Sequence, residues 1–139
     1  AVGMGDGLGA GDNTRAGLMT RGLAEITRLG VAMGGRPETF AGLTGMGDLI
    51  ATCTSPLSRN RHVGVELGKG RHIDAIIADM HMVAEGVKSA PTVMALADRH
   101  GIAMPIARDV FDVTQGKRTA QDVFRGLLKS SVGDEAHPG

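Results

Sequence analysis

Apolar residues in this chain recur at three- and four-residue intervals between glycines and prolines, and no stretch alternates apolar with polar over a strand's length. Intervals of three and four place side chains on one face of a helix, whereas a strand needs a period of two. No run of alternating β-branched residues bounded by turns occurs, so no strand is predicted. Gly34-Gly35, Pro37, Pro56, Gly68, Gly70, Gly101 and Pro105 then cut the helical pattern into pieces, because such residues stop or open helices. The fold class that follows is all-α, with about seven or eight helices joined by short connections.

Taken in order, residues 3, 5, 7, 9 and 11 are glycine, a density that asks for unusual dihedrals or close backbone approach. The GxGxxG spacing is missing and no strand precedes it, so this is no dinucleotide fingerprint. It reads as a glycine-rich turn feeding a helix. Asp12 or Asn13 can cap a long helix to about Met33, with Met19, Leu23, Ile26, Gly30 and Met33 inward. Arg21, Glu25 and Arg28 fall on another face, in a solvated or interhelical structural role. Gly22 in mid-helix costs about 1 kcal/mol against alanine, which points to close helix packing there.

Pro37 opens a short helix through Phe40 to Leu43. A helix from Arg59 to about Leu67 turns Val63 and Leu67 inward, and Ile73, Ile76, Ile77 and Met80 form a short amphipathic piece. Ser89 reads as the cap of a helix with Pro91 in its first turn, Val93, Leu96, Ala97 and His100 on one side, and Gly101 at its end. Pro105 opens the next, with Ile106, Val110 and Val113 inward. Thr119 to Asp122 reads as a capping-box variant ahead of Val123, Phe124, Leu127 and Leu128. Residues 130–139 lack apolar anchors and are predicted to fray, leaving one helical domain over residues 1–129.

Composition excludes several functions. The 139 residues suit one domain with a real core. Fifteen basic side chains balance fifteen acidic ones, so no global charge draws the chain to nucleic acid or lipid. Without Trp or Tyr there is no platform for stacking bases. Cys53 stands alone, which rules out an internal disulfide, fits a reducing compartment, and reads as packing. His62, His72 and His81 do not recur at ligand spacing, so no metal site is expected. No apolar run approaches the roughly 20 residues of a membrane span, and no secretory signal is visible. Ala1 opens the chain inside the glycine-rich segment without Met, which reads as a piece of a longer protein.

The chemistry concentrates in Gly47 to Asn60. Pro56 interrupts any helix there, and Ser58 is placed to cap the next one, with Arg59 and Asn60 in its first turn. Free amides and a partial positive charge at a helix start suit a phosphate, and Arg59 can add a two-pronged grip. Asp48, the stretch's one carboxylate, is the candidate partner for a cation or a substrate hydroxyl. The same residues also describe a plain capped helix with Arg59 in water. Further on, Glu85 lies among apolar neighbours beside Gly86, where a carboxylate can accept from a ribose or an amide, or simply face solvent on a turn.

Gly45-x-Gly47-Asp48-Leu49, Thr52-Cys53 and Ser58-Arg59-Asn60 resemble the substrate segment of bacterial-type NAD(P)-dependent glycerol-3-phosphate dehydrogenases. Further matches to that family occur in the right order: Ala1-Val2-Gly3 with Gly7 to Asn13, Thr20 to Glu25, Val83-x-Glu85-Gly86 and Met104-Pro105-Ile106. The resemblance runs to about Lys129. It implies a multi-helical C-terminal substrate domain of the 6-phosphogluconate dehydrogenase C-terminal-like kind. In that family a Rossmann domain comes first and the active site lies between the two.

The implied reaction moves hydride between NAD or NADP and the three-carbon substrate, interconverting dihydroxyacetone phosphate and glycerol 3-phosphate for phospholipid synthesis. A cytoplasmic location and a homodimer go with it. By resemblance, Asp48 orients the catalytic lysine or the reacting hydroxyl, Thr52 supports it, and Ser58, Arg59 and Asn60 hold the substrate. Arg59, Val83 and Glu85 contact the cofactor. The family's proton-transferring lysine stands in a Lys-Asn pair just before the Ala-x-Gly segment. This chain begins after it, and Lys69, Lys88, Lys117 and Lys129 do not match its position. The piece alone is therefore expected to fold without activity. The choice of NAD or NADP belongs to the other domain. Two alternatives stay open at this point: the helical domain of a 6-phosphogluconate or ketopantoate dehydrogenase, and a helical interaction module without a ligand.

Overall fold

The computed structural model describes residues 1–125, and every regular element among them is helical. The order is α1 (Val2–Gly7), α2 (Asp12–Ala32), α3 (Pro37–Ala41), α4 (Asp48–Thr54), α5 (Arg59–Gly68), α6 (Ile73–Asp79), α7 (Glu85–His100) and α8 (Pro105–Thr114). A π-helical turn, Leu43–Gly47, joins α3 to α4. Residues 120–125 are helical again after Thr119 and Asp122 close the predicted capping box, each backbone N–H donating to the other side chain. Leu127, Leu128 and the predicted tail lie outside the described residues.

The first correction concerns the glycine-rich start, which is a helix and not a turn. Gly3 and Gly7 lie one turn apart on α1, and Gly64 and Gly68 lie one turn apart on α5. The two helices cross with their backbones in contact. A Cβ at Gly3 would run into the Arg61 carbonyl oxygen, one at Gly7 into that of Val65, and one at Gly68 into that of Met4. Each glycine costs about 1 kcal/mol in helix propensity. Dense backbone packing offsets it, because many small dispersion contacts add up at such a crossing. Asp6, on α1, ties the crossing down: its carboxylate accepts from Arg15 at 2.9 Å and from Arg61 at 3.0 Å.

The second correction concerns the face of α2. Leu18, Glu25 and Leu29 are buried, while Ile26 is 41% and Met33 52% exposed, so the inward line runs one residue away from the predicted one. Glu25 takes a core position because it has work there. Its two oxygens accept from the backbone N–H of Ile106 (2.7 Å) and Ala107 (3.1 Å), the otherwise unpaired start of α8. Arg28 donates to the Ala103 carbonyl at 2.9 Å. Of the solvated or interhelical roles expected for Arg21, Glu25 and Arg28, Glu25 and Arg28 take the interhelical one and Arg21 is exposed. Gly11, not Asp12 or Asn13, is the N-cap. Gly22 has no neighbour where a Cβ would stand; the close approach falls at Gly30, which the Phe40 ring covers.

The third correction lengthens α7. It starts at Glu85 after Ala84 and runs through Pro91, so Ser89 caps nothing. Glu85 stands in the first turn, where a carboxylate meets the positive end of the helix. Met94 and Ala97 face inward and His100 is exposed, and Gly101 closes the helix in the left-handed conformation at φ 64°.

Two apolar clusters result. The larger gathers Met4, Val63, Leu67, Ile76, Val113 and Val123 around the α1–α5 crossing; the smaller joins Leu29 to Met94, Ala97 and Met104. Cys53 packs half-buried on the larger cluster, and burial pushes its thiol up, consistent with an inert packing residue.

Candidate functional site

The turn between α4 and α5 is built by two serines. Ser55 ends α4, its carbonyl accepting from Ser58 N–H at 3.2 Å and its hydroxyl from Leu57 N–H at 3.2 Å. Ser58 then caps α5: its Oγ accepts from Arg61 N–H at 3.2 Å and its carbonyl from His62 N–H at 3.0 Å. An oxygen that accepts in this way keeps its hydroxyl hydrogen to donate. The N–H groups of Arg59 and Asn60 find no acceptor among the described residues, as the first amides of a helix do not.

A cleft of about 400 Å³ opens at this helix start, lined by Ala51, Thr52, Ser55, Leu57, Ser58, Arg59, Asn60, Val83 and Glu85. Thr52, Ser58, Arg59, Asn60, Val83 and Glu85, drawn from three separate stretches of sequence, all line this one cleft. Asp48 does not line it; it stands exposed one turn before Thr52 on the same face of α4. Ala51, Ser55 and Leu57 were not foreseen. Ser55 sits three residues after Thr52, so helical spacing was the available signal. Leu57 is 89% exposed in an aperiodic turn and left none.

Charge is distributed unevenly over the walls. No carboxylate pairs with Arg59 among the described residues, whereas Arg61, two positions on, is held by Asp6 at 3.0 Å. Glu85 supplies a carboxylate on the opposite wall. Asn60 links the walls: its Oδ1 accepts from Gly86 N–H at 2.9 Å, which leaves the Nδ2 hydrogens to donate. The arrangement can hold an oxyanion with a guanidinium, two amides, a hydroxyl and a carboxamide. On the Glu85 side it can accept from hydroxyl or amide groups.

A second cleft, of about 230 Å³, lies between the end of α5 and the segment after α8. Its cations are already engaged. Arg71 bridges Glu66 and Asp79, holding the Glu66 carboxyl below the usual carboxylate range, and Arg118 meets Asp109 at 2.7 Å. Lys117 lies 5.6 Å from the centre of the Phe111 ring. Among the described residues no three His, Cys, Asp or Glu side chains converge on a metal-sized space, and no helix is long and apolar enough to cross a membrane.

Residues 1–125 match the family of the NAD-dependent glycerol-3-phosphate dehydrogenase C-terminus. The chain is 97% identical over its whole length to a glycerol-3-phosphate dehydrogenase [NAD(P)+] of Sphingopyxis alaskensis, of which it covers 42%. It is 56% identical over 99% of its length to the corresponding Mycobacterium avium protein, covering 40% of that one. The crystal structure of glycerol-3-phosphate dehydrogenase from Coxiella burnetii superposes with a TM-score of 0.88 at 40% identity, over 91% of this chain and 39% of that one. The chain thus spans about two fifths of the length of the relatives it matches.

Fold and comparisons together define a class, the all-helical C-terminal domains of NAD-dependent dehydrogenases. Within that class the chain belongs to the glycerol-3-phosphate dehydrogenase family, as its C-terminal part. The 6-phosphogluconate and ketopantoate alternatives are thereby set aside.

Proposed function

We propose that this chain is the substrate-holding part of a glycerol-3-phosphate dehydrogenase that interconverts dihydroxyacetone phosphate and glycerol 3-phosphate. The observation that carries this reading is the start of α5, where Arg59, without an ion-pair partner among the described residues, lines one cleft with the Ser58 hydroxyl and two open backbone amides. That donor set suits a dianionic phosphate ester. Asn60, with Oδ1 engaged, can donate from Nδ2 to a phosphate or hydroxyl oxygen. Thr52, on the α4 wall, offers a hydroxyl to the carbon chain, and Asp48 one turn earlier orients the reacting end from outside the lining.

NAD or NADP suits the other wall by its chemistry: Val83 presents an apolar side chain and Glu85 a carboxylate that can accept from ribose hydroxyl or carboxamide groups. Bound there, the cofactor would supply the hydride. This chain's residues would fix the substrate carbon in reach of it, and such positioning can account for much of the barrier lowering. No lysine lines the cleft among the described residues. The reading therefore takes the proton-transferring lysine from the preceding part of the protein, as the family resemblance implies. A Rossmann domain, a homodimer and a cytoplasmic location for phospholipid synthesis belong to the same reading.

The test is kinetic. In the full-length protein, Arg59→Ala and Asn60→Ala are each expected to lower kcat/KM for dihydroxyacetone phosphate by about 10- to 100-fold, the range for one hydrogen bond to a charged group, with the melting temperature kept. Unchanged kinetics in both would favour a ligand-free interaction module.

A further inference from the structure

Gly86, the second residue of α7, contributes no side chain to the cleft, and its backbone conformation does not call for glycine. It is not among the residues with positive φ, and in ordinary helical backbone alanine would be the favoured residue. What stands in the way of a side chain is a single neighbour. A Cβ at Gly86 would come to 2.9 Å from Asn60 Oδ1, 3.1 Å from Cγ and 3.4 Å from Nδ2. All three nearest atoms belong to the Asn60 carboxamide, and the Gly86 N–H donates to that same Oδ1 at 2.9 Å.

We infer that Gly86 is a positioning residue for Asn60: its bare backbone admits the carboxamide and fixes Oδ1, so that Nδ2 is the end left to meet a ligand. An asparagine free to turn over presents either an acceptor or a donor. With Oδ1 committed to α7, Asn60 favours ligand groups that accept, such as phosphate or hydroxyl oxygens, and disfavours ligands that present only donors. The same bond ties the helix start that carries Arg59 to the one that carries Glu85, so the two walls of the cleft are held in one register. The identity of the ligand rests on the proposed function above, whereas the link between Gly86 and Asn60 does not.

The contact predicts an unusual variant. In Gly86→Ala the new methyl would meet the far end of an exposed side chain, which can swing aside, so the fold is expected to survive while the carboxamide moves. In the full-length enzyme, Gly86→Ala is expected to raise KM for dihydroxyacetone phosphate about tenfold or more, with the melting temperature unchanged. Asn60→Asp, which keeps an acceptor for the Gly86 N–H and removes the donor, is expected to raise KM at least as far. The deciding measurement is a double-mutant cycle, in which the methyl has no carboxamide to displace once Asn60 is alanine. Gly86→Ala added to Asn60→Ala should therefore change nothing further. A further loss in the double variant would overturn the inference, because the glycine would then act independently of the amide. So would normal kinetics for Gly86→Ala beside an impaired Asn60→Ala, a result that leaves the substrate reading standing. Normal kinetics for Asn60→Ala itself would also overturn the inference, and the substrate reading falls with it only if Arg59→Ala is normal too.

Discussion

Arg59 and Arg61 stand two residues apart on the first turn of α5 and do opposite things. Arg61 turns to the α1 side, where Asp6 holds it at 3.0 Å beside Arg15. Arg59 turns away from that crossing, lines the cleft, and has no ion-pair partner among the described residues. The same split divides the whole helix. Its inner side is glycine and small apolar groups in backbone contact with α1, and its outer start is polar and open. One helix thus carries a side that tolerates no added atom and an end that keeps its donors unengaged. Two residues are about 200° of helix, so the packed side and the open side stand roughly half a turn apart.

That separation can be broken from either side. The largest effect is expected for Gly64→Val, since even a Cβ at Gly64 would stand 2.9 Å from Gly3 Cα and 3.0 Å from Met4 N. Backbone atoms on both sides cannot yield, so a loss of about 3 kcal/mol or more is expected in urea denaturation. Asp6→Ala comes next. Its side chain is 9% exposed and serves two arginines, and removing it leaves Arg61 with no ion-pair partner among the described residues and Arg15 with only the 3.9 Å contact to Asp12. About 2 to 3 kcal/mol should be lost, less than for a fully buried triad because both arginines reach solvent.

Arg59→Ala marks the other extreme. With no pair to lose, it should change stability by less than about 0.5 kcal/mol, which sharpens the contrast with Asp6. A loss comparable to that of Asp6→Ala would show that Arg59 belongs to the packing after all.

Periodicity made α5, α6 and α8 legible, because Val63, Leu67, Ile73, Ile76, Ile106 and Val113 follow a helical stripe and are buried. It misled on α2, where a carboxylate took the inward line. No apolar pattern can announce that Glu25 is needed to satisfy the amides of a helix some eighty residues later. It misled again at α1, where glycine is a helix breaker by propensity and becomes a helix former only once α5 is laid against it. Ser89 looked a better cap than Ala84 for the same reason, since the bond that helps hold the true start of α7 comes from Asn60. The cleft was legible where capping chemistry is local, at Ser58, Arg59 and Asn60. Its second wall was reached through resemblance to a family, because nothing within residues 83–86 says that they lie against α5.

The glycine crossing also has a consequence for affinity. A helix wedged backbone-to-backbone against its neighbour has little freedom left to surrender when something binds at its end. The entropic penalty of ordering its backbone amides has largely been met during folding, before any ligand arrives. On the phosphate reading proposed above, discrimination between rival anions at the mouth of α5 should then reflect their own geometry and hydration more than any accommodation by that backbone.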